Sequence, residues 1–238
     1  MKRLLIILIA LFMVTLSACS SSKEEKETET ANNDVKEEEV VEEEEEEVEE
    51  VEEEVVVDDL ADFDIGEVDN FTYKNKFFGI ELPLDENWYI ASDNELAQIS
   101  SSVADVINND VAKESIEDGK VIFIFYTENL NDGNSINIVA QKMPLENLTA
   151  SQIIDLQLDA LKEEFVAMGL KNISVEKTTV NFCGEQVPAV ATYAESEEGV
   201  TMDQRQVFLL NKSICAVITL GTFNGDTTQE LLNLFKKY

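Results

Sequence analysis

The chain of 238 residues contains no histidine, and only three cysteines, three prolines, nine glycines and one tryptophan. Without histidine there is no Ser-His or Cys-His nucleophile, no imidazole general base and no His-ligated metal. Glycine is too sparse for a Gly-rich phosphate loop, and neither G-x-S-x-G nor H-E-x-x-H occurs. Basic residues are also few: 17 Lys plus Arg stand against 50 Asp plus Glu, for a net charge of −33. Such a chain repels a phosphate backbone, so nucleic acid is excluded as a partner. What the chain does have is 44% hydrophobic residues, enough for a core along part of its length.

The first residues are Met1-Lys2-Arg3, a basic head, followed by the 13-residue apolar run Leu4 to Leu16. A spanning helix needs about 20 apolar residues, so this run has the length of a signal-peptide core instead. Leu16-Ser17-Ala18-Cys19 follows, then three serines. This tetrad, after that head and run, resembles the lipobox of bacterial lipoproteins. The resemblance implies cleavage after Ala18 and a diacylglycerol thioether on the Cys19 sulfur. The competing reading is a plain secretory signal with a chance cysteine. Two acyl chains hold a protein stably on a bilayer where one does so only marginally. The expectation is therefore a signal peptide over 1–18, lipid attachment at Cys19, and a place on the outer face of the cytoplasmic membrane of a Gram-positive bacterium.

Residues 19–67 read as an acidic low-complexity linker. Between Lys23 and Asp58 there are 20 acids, three bases, and no Gly, Pro or aromatic residue. Like-charge repulsion with little to bury predicts disorder. Val41, Val48, Val51 and Val55 carry a helical spacing, so a nascent helix is the most structure expected there. From Ser20 to Val68 the chain could span roughly 170 Å if fully extended. Its charge keeps it off an anionic lipid surface within a Debye length of about 8 Å. The alternative role is capture of Ca2+ or Mg2+; with no D-x-[DN]-x-[DN]-G loop, diffuse counterion condensation is the simpler reading.

Residues 68–238 read as one globular domain. Asn70–Lys74, Phe78–Leu82 and Trp88–Ser92 suit short strands. Ser92-Asp93-Asn94-Glu95 is a capping box, opening a helix with Leu96, Ile99, Val103, Val106 and Ile107 on one stripe. Val121–Tyr126 and Ser135–Lys142 form a hairpin across Asp132-Gly133, closed by Pro144. Thr149-Ala150-Ser151-Gln152 caps a second helix with Ile153, Leu156, Leu161, Phe165 and Met168 inward and Gly169 at its end. Four strands follow: Ile173–Asn181, Gln186–Ala194, Thr201–Leu210 and Ser213–Leu220. A last helix starts near Asp226 and carries Leu231, Leu232 and Phe235 inward.

Val207–Leu210 and Ile214–Leu220 are apolar without alternation, so both faces of these strands should be covered. The fold class expected is α+β: a three-layer α/β/α sandwich around a largely antiparallel sheet. The element order, with Tyr73-Lys74-Asn75-Lys76-Phe77-Phe78-Gly79-Ile80-Glu81-Leu82-Pro83 and Glu86-Asn87-Trp88, resembles lipoproteins of Clostridium-like bacteria that carry a PsbP-type domain. That resemblance implies the fold and a tethered extracytoplasmic setting, and it transfers no functional residue.

Candidate sites stay open at this level. Cys183 and Cys215 could pair outside the cytoplasm or act as two small buried apolar groups. Trp88 with Tyr89 could line a groove or anchor the core. Asn131-Asp132-Gly133-Asn134-Ser135 suits a hairpin turn better than a calcium loop. Glu128, Asp132, Glu163, Glu164, Glu195, Glu197, Glu198 and Asp203 supply carboxylates, yet with this many acids a close pair means little. The functional expectation is a monomeric, non-catalytic binding or assembly module with no cofactor and no metal site. Its partners would be the membrane, through the anchor, and an envelope protein or other basic partner. A carboxylate-dependent cell-wall hydrolase, or cation buffering by the acidic tract, is the alternative.

Overall fold

The computed structural model describes residues 63–106, 121–143 and 147–238, with side chains through Ser100 in the first stretch. The signal peptide, Cys19, the acidic tract, Ile107 and Pro144 lie outside the described residues, as do the side chains of Val103 and Val106. Among the described residues the chain forms eleven strands and three helices. No helix there is long and apolar enough to cross a membrane.

Four short strands make a small sheet. They are β1 (Glu67–Asp69), β2 (Thr72–Asn75), β3 (Ile80–Pro83) and β11 (Lys236–Lys237), in the order β1-β2-β3-β11. The strand expected from Asn70 begins instead at Thr72. Asn70 and Phe71 take φ values of 45° and 60° and form the left-handed turn between β1 and β2, the geometry that a two-residue hairpin demands. The folded part also reaches N-terminal of Val68. Phe63 packs edge-on against Phe77, and the Tyr73 hydroxyl donates to Ile65 O at 2.8 Å.

The large sheet takes β4 (Trp88–Ile90), β5 (Val121–Asn129), β6 (Ser135–Lys142), β7 (Lys171–Phe182), β8 (Glu185–Glu195), β9 (Thr201–Asn211) and β10 (Ile214–Phe223). Their order is β4-β5-β6-β10-β9-β8-β7, with every pairing antiparallel. Short connections dictate this. Cys183 (φ 51°) and Gly184 (φ 84°) make the two-residue turn from β7 to β8, and Gly133 (φ 77°) sits in the turn between β5 and β6.

The helices begin and end where local chemistry sets them. Helix α1 (Asp93–Val106) opens where the Glu95 carboxylate accepts from the Ser92 N–H at 2.9 Å and the Ser92 hydroxyl at 2.6 Å. Those bonds, with one from the Tyr89 hydroxyl, hold the Glu95 carboxyl down at about 2. Helix α2 (Ala150–Ala167) has the full Thr149–Gln152 capping box. At its other end Leu170 N bonds Phe165 O at 3.2 Å and Gly169 N bonds Val166 O at 3.0 Å, a Schellman closure. Its inward stripe is Ile153, Ile154, Gln157, Leu161 and Phe165, while Leu156 lies outside, 55% exposed. Ile154 thus replaces the expected Leu156: the two stand about 200° apart on the helix, and only one can face the sheet. Helix α3 (Thr228–Leu232) is one short turn, and Leu231, Leu232 and Phe235 are buried as expected.

Both faces of β10 are buried from Ile214 through Thr222, as its unbroken apolar run requires. The two covers differ in kind. On one face α1 lies over β5, and α2 lies over β7, β8 and β9. Ile153, Ile154, Leu161 and Phe165 pack there against Val139, Val190, Phe208 and Val217. On the other face the expected helical layer is only the short α3, and the small sheet supplies the rest of the cover. Tyr73, Ile80, Leu82, Leu231, Leu232 and Phe235 pack there against Phe125, Ile136, Ile138, Val207, Ile218 and Leu220. Tyr73 stacks on Phe125 with centroids 4.4 Å apart. Each large apolar side chain buried in this way contributes about 1.5–3 kcal/mol.

Candidate functional site

Side chains alternate along a strand, so residues two positions from Val139, Val217, Phe208 and Val190 share their face, the one toward α1 and α2. These residues are Asn137, Thr219, Gln206 and Thr192, and all four are buried. The pairing registers align them into two neighbouring rows across the sheet. One row runs Tyr126–Asn137–Thr219–Gln206–Val190. The next runs Glu128–Ser135–Gly221–Gln204–Thr192. Gly221 offers no side chain, so nothing stands between Ser135 and Gln204 in that row. Apolar rows flank the pair on both sides: Phe123, Val139, Val217 and Phe208 on one, and Phe223, Met202 and Ala194 on the other. The result is a polar band across the middle of an apolar sheet face.

Several polar atoms of the band lack partners within the protein. Gln206 Nε2 reaches Thr219 Oγ1 only at 3.5 Å. Ser135 Oγ, both side-chain atoms of Asn137, Thr192 Oγ1 and Gln206 Oε1 are buried without a hydrogen-bond partner. Gln157 on α2 adds an amide in the same condition, and Glu164 Oε2, seven residues on along the same flank, is buried and unpaired too. Burial pushes the Glu164 carboxyl up to about 7. This flank is turned away from Asp155, which instead binds Lys177 of β7 at 2.7 Å. Leaving a buried polar group unpaired costs about 1–3 kcal/mol, and native domains hold few of them. Here several converge on one stretch of sheet, with β6 and β10 lying between the two helices.

The residues singled out from sequence fall elsewhere. Trp88 is a core anchor against the small-sheet face, and Tyr89 is 38% exposed with its hydroxyl on Glu95. The Asn131–Ser135 segment is a turn. Asp132 Oδ1 accepts from Asn134 N at 2.9 Å and Oδ2 from Asn134 Nδ2 at 3.0 Å, so its oxygens face inward to the loop. Among the described residues no three His, Cys, Asp or Glu side chains cluster as metal ligands would.

Cys183 and Cys215 are unpaired thiols on opposite faces of the large sheet: Cys215 packs with α2, and Cys183 packs at the edge of the cluster under the small sheet. Burial pushes the Cys215 thiol up to about 12. It also raises the Cys183 thiol, against the pull of Lys237. Both are therefore protonated and poor nucleophiles at neutral pH.

Of the carboxylates, Asp203 is raised by burial and by Asp226. Asp226 itself is committed: Oδ2 takes Arg205 at 2.6 Å and Oδ1 takes the Thr228 N–H and hydroxyl. A separate cleft of about 450 Å3 lies between the β7–β8 turn and the C-terminal segment, lined by Asn181, Cys183, Phe235 and Lys236 among others. The Glu185–Lys237 ion pair borders it. Sequence reasoning missed the polar band, although its signal was present: Ser135, Asn137 and Gln141 alternate with Ile136, Ile138 and Ala140, a pattern that also describes a solvent-facing strand.

No family model matches the chain, and no curated protein matches it. Solved structures are similar to it, two of them as follows. One is cyanobacterial PsbP (CyanoP) from Synechocystis, with 11% identity, a TM-score of 0.43, and coverage of 70% of this chain and 91% of that one. The other is LpqN of Mycobacterium tuberculosis, involved in cell envelope biogenesis, with 11% identity, a TM-score of 0.37, and coverage of 66% and 82%. At this identity and overlap neither likeness bears on activity, and the fold stands on the registers given above.

Proposed function

We propose that this chain is a non-catalytic binding module of the bacterial cell envelope, moored to the outer face of the cytoplasmic membrane through a lipid on Cys19. The acidic segment before residue 63 serves as the spacer, and the domain from Phe63 to Tyr238 is a PsbP-type sandwich whose second outer layer is thickened by the small sheet. The observation that carries the binding role is the polar band. Polar side-chain atoms of Ser135, Asn137, Thr192 and Gln206 are buried there on one sheet face without a hydrogen-bond partner. Folding alone favours filling such positions with apolar residues, so this face of the sheet is the one that departs from a pure core. The anchoring rests on Leu16-Ser17-Ala18-Cys19 behind a 13-residue apolar run.

Mass spectrometry of the mature protein tests the anchor. The N-terminal peptide of the wild type should begin at Cys19 with the mass of a diacylglyceryl thioether and fractionate with membranes. Cys19→Ala should lose both properties. A wild-type protein free in the medium with an unmodified Cys19 overturns the tethered reading.

A further inference from the structure

We propose that the C-terminal cleft is filled by the chain's own acidic segment, Glu54–Asp58, laid as an additional strand along the free side of β11. That segment lies outside the described residues, and three observations point to it. The first is the cleft itself. It holds about 450 Å3 between the β7–β8 turn and the C-terminal segment, and its lining includes Cys183, Leu232 and Phe235 as well as Lys236 and Lys237. Strand β11 ends the small sheet, so one side of its backbone faces no strand among the described residues. An open strand side next to an apolar hollow is the geometry by which an extended segment adds to a sheet.

The second observation is charge. Cross-strand partners share a face of the sheet. The registers line up Glu67, Lys74, Glu81 and Lys236 in one row across β1, β2, β3 and β11. That row alternates in sign and ends on a cation at the open side. Lys236 enters no ion pair among the described residues, and neither does Lys76 in the turn beside Phe77. A strand added there continues the alternation when it sets an acid next to Lys236.

The third is sequence and reach. In Glu54-Val55-Val56-Val57-Asp58 the β-branched residues favour an extended backbone. Alternation places Val55 and Val57 on one side, and Glu54 and Asp58 on the other. With a carboxylate beside Lys236, the two valines meet Leu232 and Phe235. The folded part also begins at this end of the small sheet. The Phe63 ring lies 6.5 Å from that of Phe78, and the next residue, Gly79, accepts at its carbonyl from Tyr238 N at 3.0 Å. The eight residues from Val55 to Phe63 reach up to about 27 Å. Crossing β3 and β11 takes two strand spacings, about 10 Å. Being covalently attached, the segment is present at an effective concentration on the order of millimolar, which a free acidic peptide must outcompete. The cleft is thus self-occupied, and the spacer proper runs only as far as Glu53.

Alkylation of Cys183 by iodoacetamide, followed peptide by peptide by mass spectrometry on the native full chain in detergent, tests this. The thiol lines the cleft, so an occupant shields it. Val55→Ser combined with Val57→Ser should speed Cys183 alkylation at least about threefold. Lys236→Gln should speed it as well. Val48→Ser combined with Val51→Ser, farther up the tract, should leave the rate unchanged. Cys215, fully buried, should stay unlabelled in every variant, which separates an emptied cleft from an unfolded domain. Equal Cys183 rates in the parent and the Val55/Val57 variant overturn the proposal. So does an equal gain from the Val48/Val51 variant, because diffuse attraction would then replace a docked strand. If shielding of Cys183 in the parent fades on dilution, the occupant is the tract of a second copy, and the intrachain assignment falls.

Discussion

The two faces of the large sheet are built from the same strands and are chemically unlike. On the small-sheet side, β10 contributes Ile214, Ala216, Ile218 and Leu220, and β6 contributes Ile136, Ile138 and Ala140. On the helix side the same strands contribute Cys215 and Val217 and then Thr219 and Gly221, and Asn137 and Ser135 beside them. The first face also holds polar groups, but they are paired. Asn75, fully buried, donates to Tyr73 Oη at 3.1 Å and to Asp64 O at 3.0 Å, and accepts from Phe78 N at 2.9 Å. One face therefore carries stability, with polar atoms admitted only when satisfied. The other gives up stability along two rows, where buried polar atoms stand without partners.

The largest effect that would sharpen this contrast is at Phe125, 2% exposed and stacked on Tyr73. Phe125→Ala should cost about 3–5 kcal/mol in urea unfolding. A cost near zero would mean that the small sheet is not held by this face. Next comes Glu164, whose folded value near 7 lies above the unfolded 4.5. An acid raised in this way keeps its proton in the folded state while the unfolded chain ionises. Stability then falls as pH rises from 4.5 toward 7 and levels off above. Glu164→Gln should match the parent below pH 4.5 and exceed it by about 2–3 kcal/mol above pH 7. Coincident pH profiles for the two proteins would remove Glu164 from the buried flank. The smallest effect compares two hydroxyls. Tyr73→Phe removes a bonded one and should cost about 1 kcal/mol, whereas Thr192→Val removes an unbonded one and should be neutral or stabilising. Equal losses in paired denaturation curves would erase the distinction between the faces.

What was legible in the sequence was local. The Thr149–Gln152 box, the Gly169 closure and the Cys183-Gly184 and Asp132-Gly133 turns all formed where their residue types demand. The doubly covered β10 followed from its unbroken apolar run. The split into two sheets was not legible, because Lys236 pairs with Glu81 across most of the domain and a two-residue strand of lysines carries no pattern. Nor was the second cover: an apolar strand reports that something lies over it, whether helix or sheet. The Leu156 expectation failed because neighbouring apolar residues compete for one stripe, and Ile154 falls nearer to Leu161 and Phe165. The polar band stayed hidden because alternation with amides reads as exposure until another layer covers it.

The pairing of β11 with β3 also closes a long loop. One flank of Ile80 and Glu81 is completed by Lys237 and Lys236, which lie across nearly the whole folded part of the sequence. A closure between such distant segments is slow compared with hairpin formation. Until that closure β3 keeps an open border, and a variant whose Lys236–Lys237 segment cannot dock would display it permanently, as a nucleus for intermolecular association.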